Sequence, residues 1–104
     1  MELANMTDIS LHISVNELCE IAGIEKNIII EIVEYGIAAP ITESQDSEWI
    51  FDLESAHWIK KAIKLNQQLL IDWVAISLVI DLMKEKKKLE QKNKLLKARL
   101  HRSD

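Results

Sequence analysis

The stretch LCEIAGIEKNIIIEIVEYGIAAP, running from Leu18 to Pro40, decides how this chain folds. It is punctuated as a helix-turn-helix: a short apolar helix, a tight turn at Ala22-Gly23-Ile24, a second amphipathic helix and a glycine stop. Glycine reaches backbone conformations that other residues resist, which suits Gly23 to the turn. Gly36 stands where a left-handed C-terminal cap is expected, and Pro40 cannot continue a helix. At about 100° per residue, Ile28, Ile29, Ile32 and Tyr35 of the second helix gather on one side and are expected to face the core, with Val33 at its margin. Asn27, Ile30, Glu31 and Glu34 take the opposite side. A helix-turn-helix normally places its base-reading and phosphate-binding side chains there, so the motif suggests DNA unless that face has lost the chemistry to read it.

Working outward, Ser14-Val15-Asn16-Glu17 fits a capping box, with Ser14 at the N-cap and Glu17 reaching back from the third helical position. The first helix is then predicted from Val15 to Ala22, with Leu18, Ile21 and Ala22 inward. Thr7 to Ile13 alternates apolar and polar residues, the mark of a half-buried strand. Its expected partners are later strands, because a lone strand has nothing to bond. Past Pro40, Ile37–Ile41 and Glu48–Phe51 read as two short strands of a wing joined by the polar loop TESQDS. Trp49 and Phe51 share one face of the second strand and are expected to pack on the helices. Asp52 is a good N-cap for a third helix, roughly Leu53 to Gln68. In that helix Trp58, Ala62, Leu65 and Leu69 recur at helical spacing with Ile59 and Ile63 beside them. His57 lies at the edge of this stripe, in a structural or exposed position.

Asp72 is positioned to cap a last helix beginning at Trp73. No Gly or Pro follows through Arg102, so the remainder can form one helix, with Met83 as the only candidate joint. Before Met83 the segment is apolar nearly all round, at Val74, Ile76, Leu78, Val79, Ile80 and Leu82. After it, the sequence KEKKKLEQKNKLLKARLHRSD is mostly charged with a narrow apolar seam. Leu82, Leu89 and Leu96 fall seven apart in d-like positions, while Val79, Lys86, Asn93 and Leu100 take the a-like positions. A polar Asn at an a position is a device that fixes register and oligomer state. Leu82, Leu89, Asn93, Leu96 and Leu100 are therefore the expected dimerisation residues.

The composition sets further bounds. A chain of 104 residues is one small domain with room for an appended element, here a head over residues 1–83 and a basic helical extension over 84–104. Two glycines and one proline leave little scope for many tight turns and favour helices over a β-sandwich. Residues 1–83 hold 14 acidic and 4 basic side chains, a balance of −10, whereas residues 84–104 hold 9 basic and 3 acidic, a balance of +6. Cys19 stands alone, which suits a small buried hydrophobe in a reducing compartment and offers no partner for zinc. The run LLIDWVAISLVI is broken by Asp72 and is shorter than the ~20 residues that span a bilayer. Nor does the N-terminus show a basic start followed by an apolar core, so a cytoplasmic location is expected. There is no phosphate-cradling glycine loop and no recognisable set of catalytic Ser, Cys and His. These features predict a non-enzyme with no catalytic, cofactor-binding or metal-ligating residues.

With these elements in place, the chain resembles the MerR-type winged helix-turn-helix in the spacing of Gly23, Gly36 and Pro40 followed by the wing. Within that superfamily it is more similar to the chaperone modulator CbpM family. The resemblance is carried by the alternating N-terminal strand, Glu17-Leu18-Cys19, Tyr35-Gly36-Ile37, Trp49-Ile50-Phe51-Asp52 and Ala62-Ile63-Lys64-Leu65. Asp72-Trp73 with Ile76, and the tail on Leu89, Asn93, Leu95-Leu96, Arg99 and Leu100, extend it over nearly the whole chain. It implies a mainly α winged helix-turn-helix with a small β wing and a long C-terminal helix. It also implies a cofactor-free regulator that binds the J-domain of a CbpA/DnaJ-like co-chaperone and inhibits its stimulation of DnaK. The sequence departs from those relatives in carrying Val74-Ala75 where they have Pro-Gly, a change that favours uninterrupted helix.

The outer face of the second helix agrees with that expectation. DNA readers of the MerR type usually place an Arg and a Tyr at the positions of Ile30 and Glu31. Isoleucine removes a phosphate or guanine contact, and Glu31 adds repulsion from the backbone. Asn27, Ile30, Glu31 and Glu34 are thus expected to meet a basic protein, the carboxylates steering and Ile30 supplying desolvation energy. A MerR-type DNA-binding regulator is the alternative, since the basic tail from Lys84 onward could touch phosphates.

Overall fold

The computed structural model describes residues 12–42 and 49–103, with side-chain environments given as far as Leu100. The elements follow in the order β1 (His12–Ser14), α1 (Val15–Ala22), α2 (Lys26–Glu34), β2 (Ile50–Asp52), α3 (Leu53–Leu69) and α4 (Trp73–Ser103). The fold is mainly α, with a small two-stranded antiparallel sheet among the described residues and a long C-terminal helix.

Local chemistry sets most boundaries. The Ser14 hydroxyl accepts from the Glu17 N–H while the Ser14 N–H donates to the Glu17 carboxylate, both at 3.2 Å, completing the capping box of α1. Gly23 ends α1 in the left-handed region at φ 67°, its N–H donating to the Cys19 carbonyl at 2.8 Å. Beyond α2, Gly36 also lies left-handed at φ 75°. There the Ile37 N–H reaches the Ile32 carbonyl at 3.2 Å and the Gly36 N–H reaches Val33 at 3.0 Å. This paired arrangement satisfies two helix-end carbonyls, and it drives Ile37 into the core beside Ile32. Asp52 caps α3 through the Ser55 N–H at 2.7 Å, and Asp72 caps α4 through the Ala75 N–H at 2.9 Å.

The strand reading holds in its pairing and changes in its extent. β1 pairs with β2 in the register His12↔Asp52, Ile13↔Phe51 and Ser14↔Ile50. Residues 7–11 of the expected first strand, and Glu48, fall outside the described residues. Ile37–Ile41 is not a strand. Ile37 and Ala38 are both buried although adjacent, which breaks the period of two, and Pro40 has no N–H for a ladder. Among the described residues one bond survives, from the Ile41 N–H to the Ile50 carbonyl at 2.7 Å. The wing is therefore β2 with an irregular strand-like neighbour.

One core unites Val15, Leu18, Ile29, Ile32, Phe51, Ile59, Ile76 and Ile80, all fully buried. Phe51 meets Trp49 edge-to-face at 6.2 Å, as expected for aromatics sharing a strand face. Three expected core residues lie outside it. Ile21 is 61% exposed because the inward arc of α1 is centred on Val15 and Leu18 rather than on its own side. Leu69 is exposed as the last residue of α3, just before the left-handed cap at Leu70. Tyr35 is exposed because it caps α2 instead of continuing it, with φ −83° and ψ 4°.

α4 runs from Trp73 to Ser103 without a joint at Met83, a length of about 46 Å. Ile76 and Ile80 point into the head, but Val74, Leu78 and Leu82, expected within an all-round apolar segment, lie exposed on the other side. The corner before α4 turns at Leu70, left-handed at φ 55° and 87% exposed, where the Asn66 side-chain amide donates to the Ile71 carbonyl at 2.9 Å.

Candidate protein-binding site

Helix α2 presents the predicted outer face. Ile29 and Ile32 anchor it to the core at zero exposure, which turns Asn27, Glu31 and Glu34 outward within an arc of about 60°. All three are exposed. Ile30 is half-buried at the border of this arc and does not join the core cluster. It is thus less open than expected.

Tyr35 completes the site, and its contribution was not read from the sequence. Because it caps α2, its ring stays at the surface, 48% exposed. Glu31, Glu34 and Tyr35 together line a shallow notch of about 230 Å³. Two carboxylates and an aromatic face suit the side chain of a Lys or Arg, through charge pairing and cation–π attraction. The readable signal was the glycine at 36, which fixes the helix end one residue before Tyr35 and takes that residue off the helical wheel.

The second predicted set lies on α4. Leu82, Leu89, Leu96 and Leu100 are all exposed, as is Asn93. They are continued towards the corner by Val74 and Leu78, and this row falls about 180° around α4 from Ile76 and Ile80. The helix therefore carries two apolar faces, one spent on the head and one open.

Half-buried Cys19 sits on α1; desolvation pushes its thiol pKa up, against the opposing charge of Lys26. The thiol is correspondingly less nucleophilic, since the thiolate is the reactive form. Among the described residues no group of three His, Cys, Asp or Glu side chains is arranged to hold a metal. No helix among them is long and apolar enough to cross a membrane.

Residues 13–98 match the family model for the MerR HTH family regulatory protein, so fold and sequence together define the class as MerR-type helix-turn-helix. The chain is 35% identical over 92 residues to the chaperone modulatory protein CbpM of Pseudomonas entomophila strain L48, covering 88% of this chain and 90% of the relative. It is 34% identical over 92 residues to the protein of the same name from Pseudomonas putida strain F1, with the same coverage. To that of Escherichia coli O1:K1 / APEC it is 33% identical over 97 residues, covering 93% of this chain and 95% of the relative. The chain belongs to the CbpM family.

Proposed function

We propose that this chain is a non-catalytic chaperone modulator of the cytoplasm that binds the J-domain of a CbpA/DnaJ-like co-chaperone and thereby inhibits its stimulation of DnaK. The observation that carries this reading is the outer face of α2. Asn27, Ile30, Glu31 and Glu34 place no positive charge where a DNA reader would need one, and Glu31 and Glu34 with Tyr35 form an acidic aromatic notch. A duplex would meet repulsion at this surface, whereas a basic protein helix would meet complementary charge. The role borne in the names of the similar proteins points the same way.

In this mechanism the carboxylates orient a basic J-domain surface, the one that would otherwise dock on DnaK. The flank of Ile30 and the Tyr35 ring supply the desolvated contact. The protein would act as a homodimer, with a head over residues 1–83 and an extension over 84–104, paired through Leu82, Leu89, Asn93, Leu96 and Leu100. The support for pairing is the open leucine row opposite the head-facing side of α4.

Calorimetry with an isolated CbpA-type J-domain at low salt tests the proposal. Saturable binding that weakens with salt and is lost in Ile30→Arg and Glu31→Lys is expected, and absence of heat at low salt sinks it. The alternative, a MerR-type DNA-binding regulator, would instead show steeply salt-dependent binding of genomic fragments in fluorescence anisotropy.

A further inference from the structure

A larger cleft, of about 700 Å³, opens between the first turn of α3 and the middle of α4. It shares no lining residue with the notch on α2. Its apolar floor includes Ile37 and Trp58, and one wall carries Lys84, Lys87 and Lys88. Two of those ammonium groups gather on one ring: Lys84 Nζ lies 5.6 Å and Lys87 Nζ 6.0 Å from the Trp58 centroid. Lys84 also donates to the Ile37 carbonyl at 3.1 Å, which fixes its position and leaves two of its three donors to spend. Among the described residues no carboxylate pairs with Lys84, Lys87 or Lys88, although they sit beside an acidic head.

A second observation comes from Trp58 itself. The residue is 5% exposed, and its buried indole N–H finds no acceptor among the described residues. Buried N–H groups are nearly always paired, so an orphan on a residue that lines a cleft points to an acceptor from outside, reached once the ring shifts enough to uncover the N–H. The cleft thus brings together ammonium groups, an apolar floor and the ring of a tryptophan whose N–H lacks an acceptor among the described residues.

We infer that this cleft binds an acidic peptide segment of a partner protein, its carboxylates on Lys84, Lys87 and Lys88 and one acceptor oxygen on the Trp58 indole. The lysine wall and Gln91 extend over about 10 Å along α4, which matches charges spread along an extended chain better than a single compact anion. Asp52 and Glu54 stand at the same rim, where they penalise a compact dianion such as phosphate more than spaced monovalent carboxylates. Leu53, half-exposed at the mouth, gives such a segment an apolar neighbour to cover. The site does not depend on a J-domain partner.

The test is an NMR titration of the full chain with N-acetylated, C-amidated hexaglutamate at low salt, following the assigned indole N–H resonance of Trp58. A saturable shift of that resonance, weakened at least about tenfold by Lys87→Gln with Lys88→Gln, is expected. The Trp49 and Trp73 resonances should stay in place. The inference is overturned if the Trp58 resonance does not move at millimolar peptide, or if the two glutamine substitutions leave the affinity unchanged. It is also overturned if inorganic phosphate shifts the resonance at equal or lower concentration than the peptide, which would make the cleft a simple anion site. Both substitutions lie at exposed helical positions, so the fold survives them. J-domain calorimetry, read separately, reports on the α2 face alone.

Discussion

Lys84 and Ile37, 47 positions apart in the chain, are joined by a 3.1 Å hydrogen bond from the ammonium group to the backbone carbonyl. This bond ties α4 to the segment that follows the helix-turn-helix, and the same ammonium rests on Trp58. A methionine at 84 keeps the aliphatic stem and removes both polar interactions. Lys84→Met is expected to lower stability by about 1–2 kcal/mol, a charged hydrogen bond and a cation–π contact discounted for partial exposure. Urea denaturation should show the midpoint falling with the slope unchanged.

The left-handed positions behave differently from one another. A methyl group at Gly23 or Gly36 would meet nothing within 4 Å, so the cost of Gly23→Ala or Gly36→Ala is backbone strain alone, about 1–2 kcal/mol each. Asn at either site should cost less. Leu70 stands in the same conformation with a bulky, 87% exposed side chain, and Leu70→Gly should raise stability by roughly 1 kcal/mol. Thermal and urea unfolding of the three variants checks the opposite signs.

On the proposed function, Tyr35 should serve binding and not stability. Because its ring is surface-exposed beside Glu31 and Glu34, Tyr35→Ala should change folding stability by less than about 0.5 kcal/mol. The same substitution should weaken J-domain binding by roughly 5–30-fold, the range of a lost cation–π contact with its desolvation. Unfolding curves and calorimetry on one variant separate the two effects.

The open row on α4 predicts an association change. Leu82→Lys with Leu89→Lys adds two charges to that face without touching Ile76 or Ile80. Sedimentation should report monomers, with the circular dichroism of the head retained. Asn93→Val should keep association but relax its stoichiometry, since a polar side chain enclosed by the proposed pairing is what would select one state.

Cys19 carries a pH signature. Burial raises its thiol pKa above the ordinary value, with Lys26 opposing more weakly. The native state therefore holds the proton more tightly than the unfolded chain does. The associated stability is fully present below the ordinary thiol range and is lost as pH rises through the raised value. Iodoacetamide should alkylate the folded chain more slowly than the denatured chain at mildly alkaline pH, and the gap should close as pH increases.

How much was legible depended on how local the cause was. Ser14 and Glu17 lie three residues apart, so their capping box was readable, as were the Asp52 and Asp72 caps and the Gly36 stop. The strand at Ile37–Ile41 failed because pairing is non-local and the burial of Ile37 is imposed by the helix end before it. On α2 the wheel identified Ile29 and Ile32 correctly, but it assumed that the helix continued through Tyr35. The Lys84–Ile37–Trp58 arrangement left no trace in the sequence, since it joins three distant segments through side-chain reach.

From Glu85 to Leu100 every residue of α4 is exposed, while Ile76 and Ile80 fix the start of the same helix on the head. Position along this helix is therefore also direction. Inserting a single residue between Ile80 and Leu89 would swing Leu89, Leu96 and Leu100 by about 100° relative to the head while lengthening the helix by only about 1.5 Å. Seven inserted residues would lengthen it by about 10 Å yet return the leucines to within about 20° of their present heading. The spacing between Ile80 and Leu89 thus works as a phase setting: it fixes which way the acidic notch faces relative to the leucine row.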